Sequence, residues 1–425
     1  MLNESFKLRG TGCSTADDCS TSPRHRWYVI KEGFSPTLFK SAAETVTFAK
    51  DDAVLDPFCG SGTVPLSASL QGRAAFGVEV NPFLAFVSRT KLLTCRSSTL
   101  RKHLSTATRG VRHGARSSLE SYSTFSENKD SVKWLFNRSV LRSFEGGWTS
   151  LTDCPGPAGD LLRLCLLGAA MDNCNATADG KCLRYRKDWK SIGFGRPSFL
   201  DSFEHRVEDV CSDVRLSDTP SGDHKVILGD ARKVLATDGQ RFKLSVTSPP
   251  YLNSFDYSDV YRPELFLGRF VGSNRELATI RKSTIRSHVQ ANWEPPERAS
   301  FGQLFTNVMT EVRSRSEILW DHRIPAMIQA YFEDMERILL RLRRLALPGA
   351  AVWIVVATSA YAGVEVPVDF IIAEIAERSG WYLSEVGVIR HLRSSGQHLN
   401  KLGDEVSRSL HLRESVVILK TSRRS

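Results

Sequence analysis

Read as a string of apolar and polar positions, the chain is most regular towards its end. Residues 328–346 (IQAYFEDMERILLRLRRLA) set apolar side chains at helical spacing with charges between them, which predicts an amphipathic helix. Pro348 and Gly349 are expected to break it. The run AVWIVVA, 351–357, is small and β-branched throughout, the composition of a strand covered on both faces. FIIAEIAERSG, 370–380, returns to helical spacing and stops at Gly380, and SVVILK, 415–420, reads as a final strand.

Similar alternation occurs earlier, over 53–82 and 226–251, where short apolar strands lead into loops and a helix. Strands that alternate with helices predict an α/β fold with a mainly parallel sheet covered on both sides. Two stretches interrupt it. Residues 96–225 begin Arg- and Ser-rich and continue with an apolar helical stretch at Leu161–Met171, and 268–325 are basic and irregular. The expected organisation is therefore a loose polar segment (1–23), a first α/β part (24–95), an insertion (96–225), a second α/β part (226–267), a basic insertion (268–325) and a C-terminal α/β part (326–425).

Composition changes this picture little. Hydrophobic residues make up 41% and charged residues 24% of the 425, enough for a substantial core. No apolar run approaches the ~18 residues of a membrane span, and the N-terminus lacks a secretory core, so a cytoplasmic protein is expected. The nine cysteines form no CxxC pair. Cys165, Cys174 and Cys182 are close in sequence but lack a fourth ligand at finger-like spacing, so no metal is expected. The net charge of +10 suits a polyanionic partner, because Lys and Arg at phosphates release condensed counterions. A basic but ordinary surface would give the same number.

Specific chemistry starts at AVLDPFCGSGTVPLSASLQGRAAFGVEVNP, residues 53–82. A strand ends at Asp56, a Gly-containing turn leads into a short helix, and a second strand ends near Glu79. Gly60 and Gly62 let the backbone approach a ligand where a Cβ would collide. Glu79 stands where a carboxylate can accept both hydroxyls of a ribose. Further on, VILGD places Asp230 after a strand, where it can accept from an adenine amine or simply cap a surface turn.

A second signal is KLSVTSPPYLNSFDY, residues 243–257. A strand ends in Ser248-Pro249-Pro250-Tyr251, and the two prolines hold the chain extended while removing two donors. An exocyclic aromatic amine is a poor nucleophile because its lone pair is delocalised into the ring. The Ser248 hydroxyl and Pro249 carbonyl are suitable acceptors for its N–H groups, and Tyr251 offers a flat face for an extruded base.

Together DPFCGSGT and TSPPYLNxxDY resemble the amino-methyltransferases of restriction–modification systems, in their cytosine-N4-specific form. The resemblance implies a Rossmann-like seven-stranded sheet with helical and basic insertions, central strands at 53–56, 75–80, 244–247 and 351–357, and S-adenosylmethionine as cofactor. It implies that Asp56, Phe58, Gly60, Gly62 and Thr63 surround the methionine part, with Glu79 on the ribose and Asp230 at the adenine. RHRWYVIKEGFSP (24–36) matches another family motif at Phe34, Ser35 and Pro36, which places Phe34 near the methionine tail. Catalysis would fall to Ser248, Pro249, Pro250 and Tyr251, with Asn253, Asp256 and Tyr257 lining the base pocket or serving as caps and packing.

The reaction implied is direct methyl transfer to N4 of cytosine in double-stranded DNA at a specific site, with a cognate restriction endonuclease as a possible partner. Adenine-N6 methylation uses nearly the same residues and is the principal alternative. An RNA guanine-N2 methyltransferase and a catalytically silent DNA-binding subunit are weaker ones. DNA contacts are expected from Arg96, Arg101, Lys102, Arg109, Arg112 and Arg116, and from Arg275, Arg281, Lys282, Arg286, His288 and Trp293.

Overall fold

The computed structural model describes residues 2–6, 15–127, 131–178, 182–216, 218–237, 239–253, 255–392 and 410–423. Its strands are β1 (Leu2–Asn3), β2 (Ala53–Asp56), β3 (Ala74–Glu79), β4 (Ala176–Ala178), β5 (Leu183–Tyr185), β6 (His224–Leu228), β7 (Phe242–Thr247), β8 (Ala346–Ala357), β9 (Ser359–Tyr361), β10 (Val364–Val366), β11 (Tyr382–His391) and β12 (Arg413–Lys420). Eight form one sheet in the order β1-β11-β12-β8-β7-β2-β3-β6, while β4–β5 and β9–β10 are separate two-stranded ribbons. The sheet is parallel except around β12, which runs antiparallel to both β8 and β11.

Apolar alternation decides how the sheet is covered. Along β8, Val352, Ile354 and Val356 enter one core and Ala351, Trp353 and Val355 enter another. Period-two side chains divide in this way only when both faces are buried. The first core is completed by the helix Ile324–Leu345, through Ile328, Tyr331, Met335 and Leu339, and by Ile371, Ile372 and Ile375 of the helix Val368–Arg378. The second takes Leu38 and Phe39 from the helix Pro36–Ala43 and Val64 and Ala68 from the helix Thr63–Leu70.

The sequence order of the strands reverses between β2 and β7. From β2 the sheet runs through β3 to β6 at one edge, and from β7 it runs the other way to β8. Loops leaving the C-terminal ends of β2 and β7 therefore diverge, and a crevice opens between them.

Three expectations are corrected. The sheet has eight strands, because the two-residue β1 pairs in parallel with β11 beyond the seven anticipated. The described part of the N-terminal segment is tied down rather than loose. Ala16 and Cys19 are buried, and Asp18 accepts from the Ser35 and Thr37 hydroxyls, so this segment holds the start of the helix Pro36–Ala43. The late helix ends at Leu345 without Pro348 and Gly349, which lie inside β8 next to a register shift.

Among its described residues the first insertion supplies four α-helices, Ser97–His113, Arg138–Ser150, Pro157–Asp172 and Arg196–Leu216. They share a core with Phe83 and Val87 and with Tyr261 and Leu265 of the second α/β part. The basic insertion buries Ile285, Val289, Phe301 and Phe305 beside the helix Ile324–Leu345. Among the described residues no helix is long and apolar enough to cross a membrane, and no group of three or more His, Cys, Asp or Glu is placed to hold a metal ion.

Candidate active site

Asp56, at the end of β2, is fully buried. Its Oδ1 accepts the Phe58 amide at 3.0 Å and the Thr247 hydroxyl at 2.7 Å. Burial pushes its carboxyl up to about 7, against these hydrogen bonds, which favour the charged form. Glu79, at the end of β3, accepts the Gly60 amide on Oε2 and the Asn81 amide on Oε1, both at 2.8 Å. Burial raises it to about 7 as well. The glycine turn is thus held between two buried carboxyls, one at the end of each strand.

The two turn glycines act differently. Gly60 has φ +50°, and a Cβ there would approach only Ile30 Cδ1, at 3.5 Å. Gly62 has φ +85°, and a Cβ would fall 2.3 Å from Ser88 Oγ on the helix Pro82–Leu92. Close approach at Gly62 is therefore to a packed helix, where the sequence alone suggested a ligand. It does not line the cavity described below.

The strand β7 ends at Thr247 and leads into Ser248-Pro249-Pro250-Tyr251. Tyr251 donates its hydroxyl to Glu414 Oε1 of β12 at 2.7 Å, and Arg390 of β11 donates Nε to Glu414 Oε2 at 2.7 Å. Leu252 is anchored through its carbonyl, which accepts from the Ser359 hydroxyl and, at 3.1 Å, from the Tyr361 hydroxyl. The residues after the tetrapeptide mainly shape their own loop. Asn253 Oδ1 accepts the Phe255 amide, and Asp256 caps the helix Tyr257–Val260 and pairs with Arg281. The Tyr257 side chain falls outside the described residues.

Asp230 follows β6. Its carboxylate accepts the Arg232 amide and guanidinium, and Arg232 also reaches Asp334 at 2.8 Å. Arg286 is buried, bonded to Glu333 and Asp334 of the helix Ile324–Leu345. His288 is buried too, and burial lowers it to about 4. Arg286, His288 and Arg281 are therefore engaged inside the protein, whereas Arg275 and Lys282 are exposed. In the first basic cluster all six side chains are exposed, with Arg101 paired to Glu208.

Phe34, Asp56, Phe58, Gly60, Thr63, Glu79, Asp230, Ser248, Pro249, Pro250 and Tyr251 line one cavity of about 600 Å³ at the β2/β7 crevice. That size suits a small-molecule ligand with room for part of a substrate. Its walls also contain residues the motifs did not mark, among them Glu32, Tyr261, Trp320, Arg390 and Glu414. Tyr261 donates to Glu32 at 2.6 Å. No local pattern distinguishes these residues, because each reaches the cavity from a different element. Thr247, by contrast, stands inside the TSPPY motif and could have been found there.

Residues 25–123 match the model of a family described as RMKL-like, methyltransferase domain. Over 443 residues the chain is 24% identical to the Type II methyltransferase M.BsoBI of Geobacillus stearothermophilus, covering 93% of this chain and 85% of that protein. It is also 24% identical to the Type II methyltransferase M.AvaI of Nostoc sp., covering 87% and 81%. Among solved structures, the rRNA methyltransferase aviRa of Streptomyces viridochromogenes aligns at 10% identity over 91% of this chain and 85% of that chain, with a TM-score of 0.31. The chain is an S-adenosylmethionine-dependent methyltransferase. Its resemblance to these two Type II methyltransferases holds along most of its length.

The methyltransferase has a cavity that fits this cofactor. Asp56 and Glu79 present buried carboxyls to it, and Gly60 leaves a wall that no Cβ fills. These are groups able to accept from hydroxyls and an ammonium and to let a ligand lie against backbone.

The contrast between the glycines is testable. Gly62→Ala meets Ser88 and sits at a left-handed φ, so it should lose about 2 kcal/mol or more of folding stability in urea denaturation. Gly60→Ala meets Ile30 only at an ordinary contact distance and pays for its left-handed φ alone, so it should cost about 1 kcal/mol, while reducing cofactor affinity in isothermal titration.

Proposed function

We propose that this methyltransferase transfers a methyl group to N4 of cytosine at a specific site in double-stranded DNA, as part of a restriction–modification or related system. The observation that carries the reading is the placement of Ser248-Pro249-Pro250-Tyr251 across the β2/β7 crevice from the Asp56–Glu79 turn, in one cavity. The two relatives, both Type II methyltransferases, support the DNA assignment.

S-adenosylmethionine supplies the methyl group when bound. Asp56, Phe58, Gly60, Thr63 and Phe34 would hold its methionine end, Glu79 its ribose and Asp230 its adenine. Ser248 and the Pro249 carbonyl would accept from the amine and turn its lone pair out of conjugation. Tyr251 would stack on the base, its ring fixed by the hydrogen bond to Glu414. Holding amine and methyl donor together supplies most of the acceleration expected of such a site. A serine hydroxyl beside the amine adds no formal charge, which favours cytosine here.

The product decides between the bases. Purified protein, labelled cofactor and duplex DNA, followed by nucleoside digestion and mass spectrometry, should yield 4-methylcytosine. Only 6-methyladenine would reassign the target base and leave the site standing.

Glu79→Ala should weaken cofactor binding by about 2 kcal/mol in isothermal titration with the fold intact. The pH dependence has a definite sign. Glu79 and Asp56 are each raised to about 7, and accepting hydrogen bonds from the ligand favours the ionised forms, so affinity should rise between pH 6 and 8. Glu79→Gln should reduce that rise.

Tyr251→Ala should lose stacking worth about 1–3 kcal/mol, read as a fall in kcat/KM for DNA. Tyr251→Phe keeps the ring and loses its tether to Glu414, so it should retain most of the activity. Equal inactivation of the two variants would replace stacking with a role for the hydroxyl.

A further inference from the structure

The side chain of Glu414 is only 2% exposed, yet it receives two groups from the cavity wall. Its Oε1 takes the Tyr251 hydroxyl and its Oε2 takes Arg390 Nε, with Arg390 Nη2 at 3.4 Å from Oε1. The carboxylate thus grips one edge of the guanidinium, the edge that bears Nε and Nη2. The fork is planar and rigid, so its opposite end points away from Glu414, and among the described residues Asp17 acts on Arg390 only as a nearby charge. Arg390 is 47% exposed in its side chain, and it lines the cavity together with Tyr251.

We propose that Arg390 is a phosphate-binding residue, which holds the backbone phosphate flanking the nucleotide drawn into the cavity. This rests on the nucleic-acid substrate proposed above and adds a contact that no sequence motif marks. Three features support phosphate as the ligand. A guanidinium held on one edge by a buried carboxylate presents its remaining donors in a fixed direction, which suits the oxygens of a tetrahedral anion. The same carboxylate fixes the ring on which the base would stack, so phosphate and base would be registered against one group. A nucleotide brought to that ring also carries its phosphate to the cavity mouth, where a half-exposed arginine can meet it.

The test uses the full chain, labelled S-adenosylmethionine and plasmid DNA from a host that lacks the enzyme. Methyl incorporation is measured against DNA concentration between 50 and 200 mM salt, for the wild type, Arg390→Gln and Arg390→Lys. A cofactor-induced rise in melting temperature reports that each variant is folded, and Arg390→Met replaces the Gln variant if that one is not. Arg390→Gln should raise KM for DNA severalfold, with the loss falling on KM more than on kcat. The slope of log KM against log salt should shrink by about 0.9, the value of one lost phosphate contact. Arg390→Lys keeps the charge and should keep the slope. An unchanged KM and slope, or a loss carried mainly by kcat, would overturn the phosphate role and leave Arg390 as a support for Glu414. Failure of the wild type to label any DNA would instead overturn the substrate reading, and this inference with it.

Discussion

The hydrogen bond from the Thr247 hydroxyl to Asp56 joins the ends of two neighbouring strands whose loops carry different chemistry. One loop is the glycine turn, and the other is the Ser-Pro-Pro-Tyr segment. Because β2 and β7 pair in parallel, both loops leave the sheet on the same side and at the same level. A hydrogen bond of 2.7 Å to a fully buried carboxyl fixes that level, since breaking it would leave a buried polar group unpaired. The distance between a ligand on one loop and a base on the other depends on this register. Everything else at the site is arranged around it.

Burial of charge is the recurring device. Asp56 and Glu79 are both raised by burial and both held by hydrogen bonds, so the cavity keeps two acceptors at modest net charge. On the opposite wall Glu414, itself buried, orients a tyrosine and an arginine through its hydrogen bonds. Such groups are costly unless their partners are in place. The cost makes their geometry definite, because any displacement exposes an unpaired charge to a low dielectric.

The same logic joins the insertions to the sheet. Arg286 is bound to Glu333 and Asp334, and Asp334 also takes Arg232, which grips Asp230. The basic insertion is therefore linked, through one helix, to the acid that faces the cavity beside β6. The first insertion instead packs through a hydrophobic core shared with Phe83 and Tyr261, and it keeps its arginine-rich helix face in solvent. Of the two basic clusters, only the first remains wholly exposed.

The sequence by itself determined the α/β alternation, the two-faced β8 and the two motifs, because each is written in neighbouring residues. Period-two burial, a Gly turn between two acids and a Pro-Pro step after a strand are local signals, and local physics enforces them. Tertiary structure alone decided which distant residues meet. Nothing near Glu414 or Arg390 in sequence points to Tyr251, which lies 163 residues from Glu414 and reaches it only because β12 folds back antiparallel beside β8. The meaning of basic residues was equally invisible. Arg286 and Lys282 look alike in the chain, yet one is buried between two acids and the other is exposed. The reason Gly62 is glycine also came from a distance: its neighbour is Ser88, on a helix 26 positions further along, and not the ligand that the motif suggests. Side-chain type sets what a residue can do, and the pairing of remote strands and helices sets what it is next to.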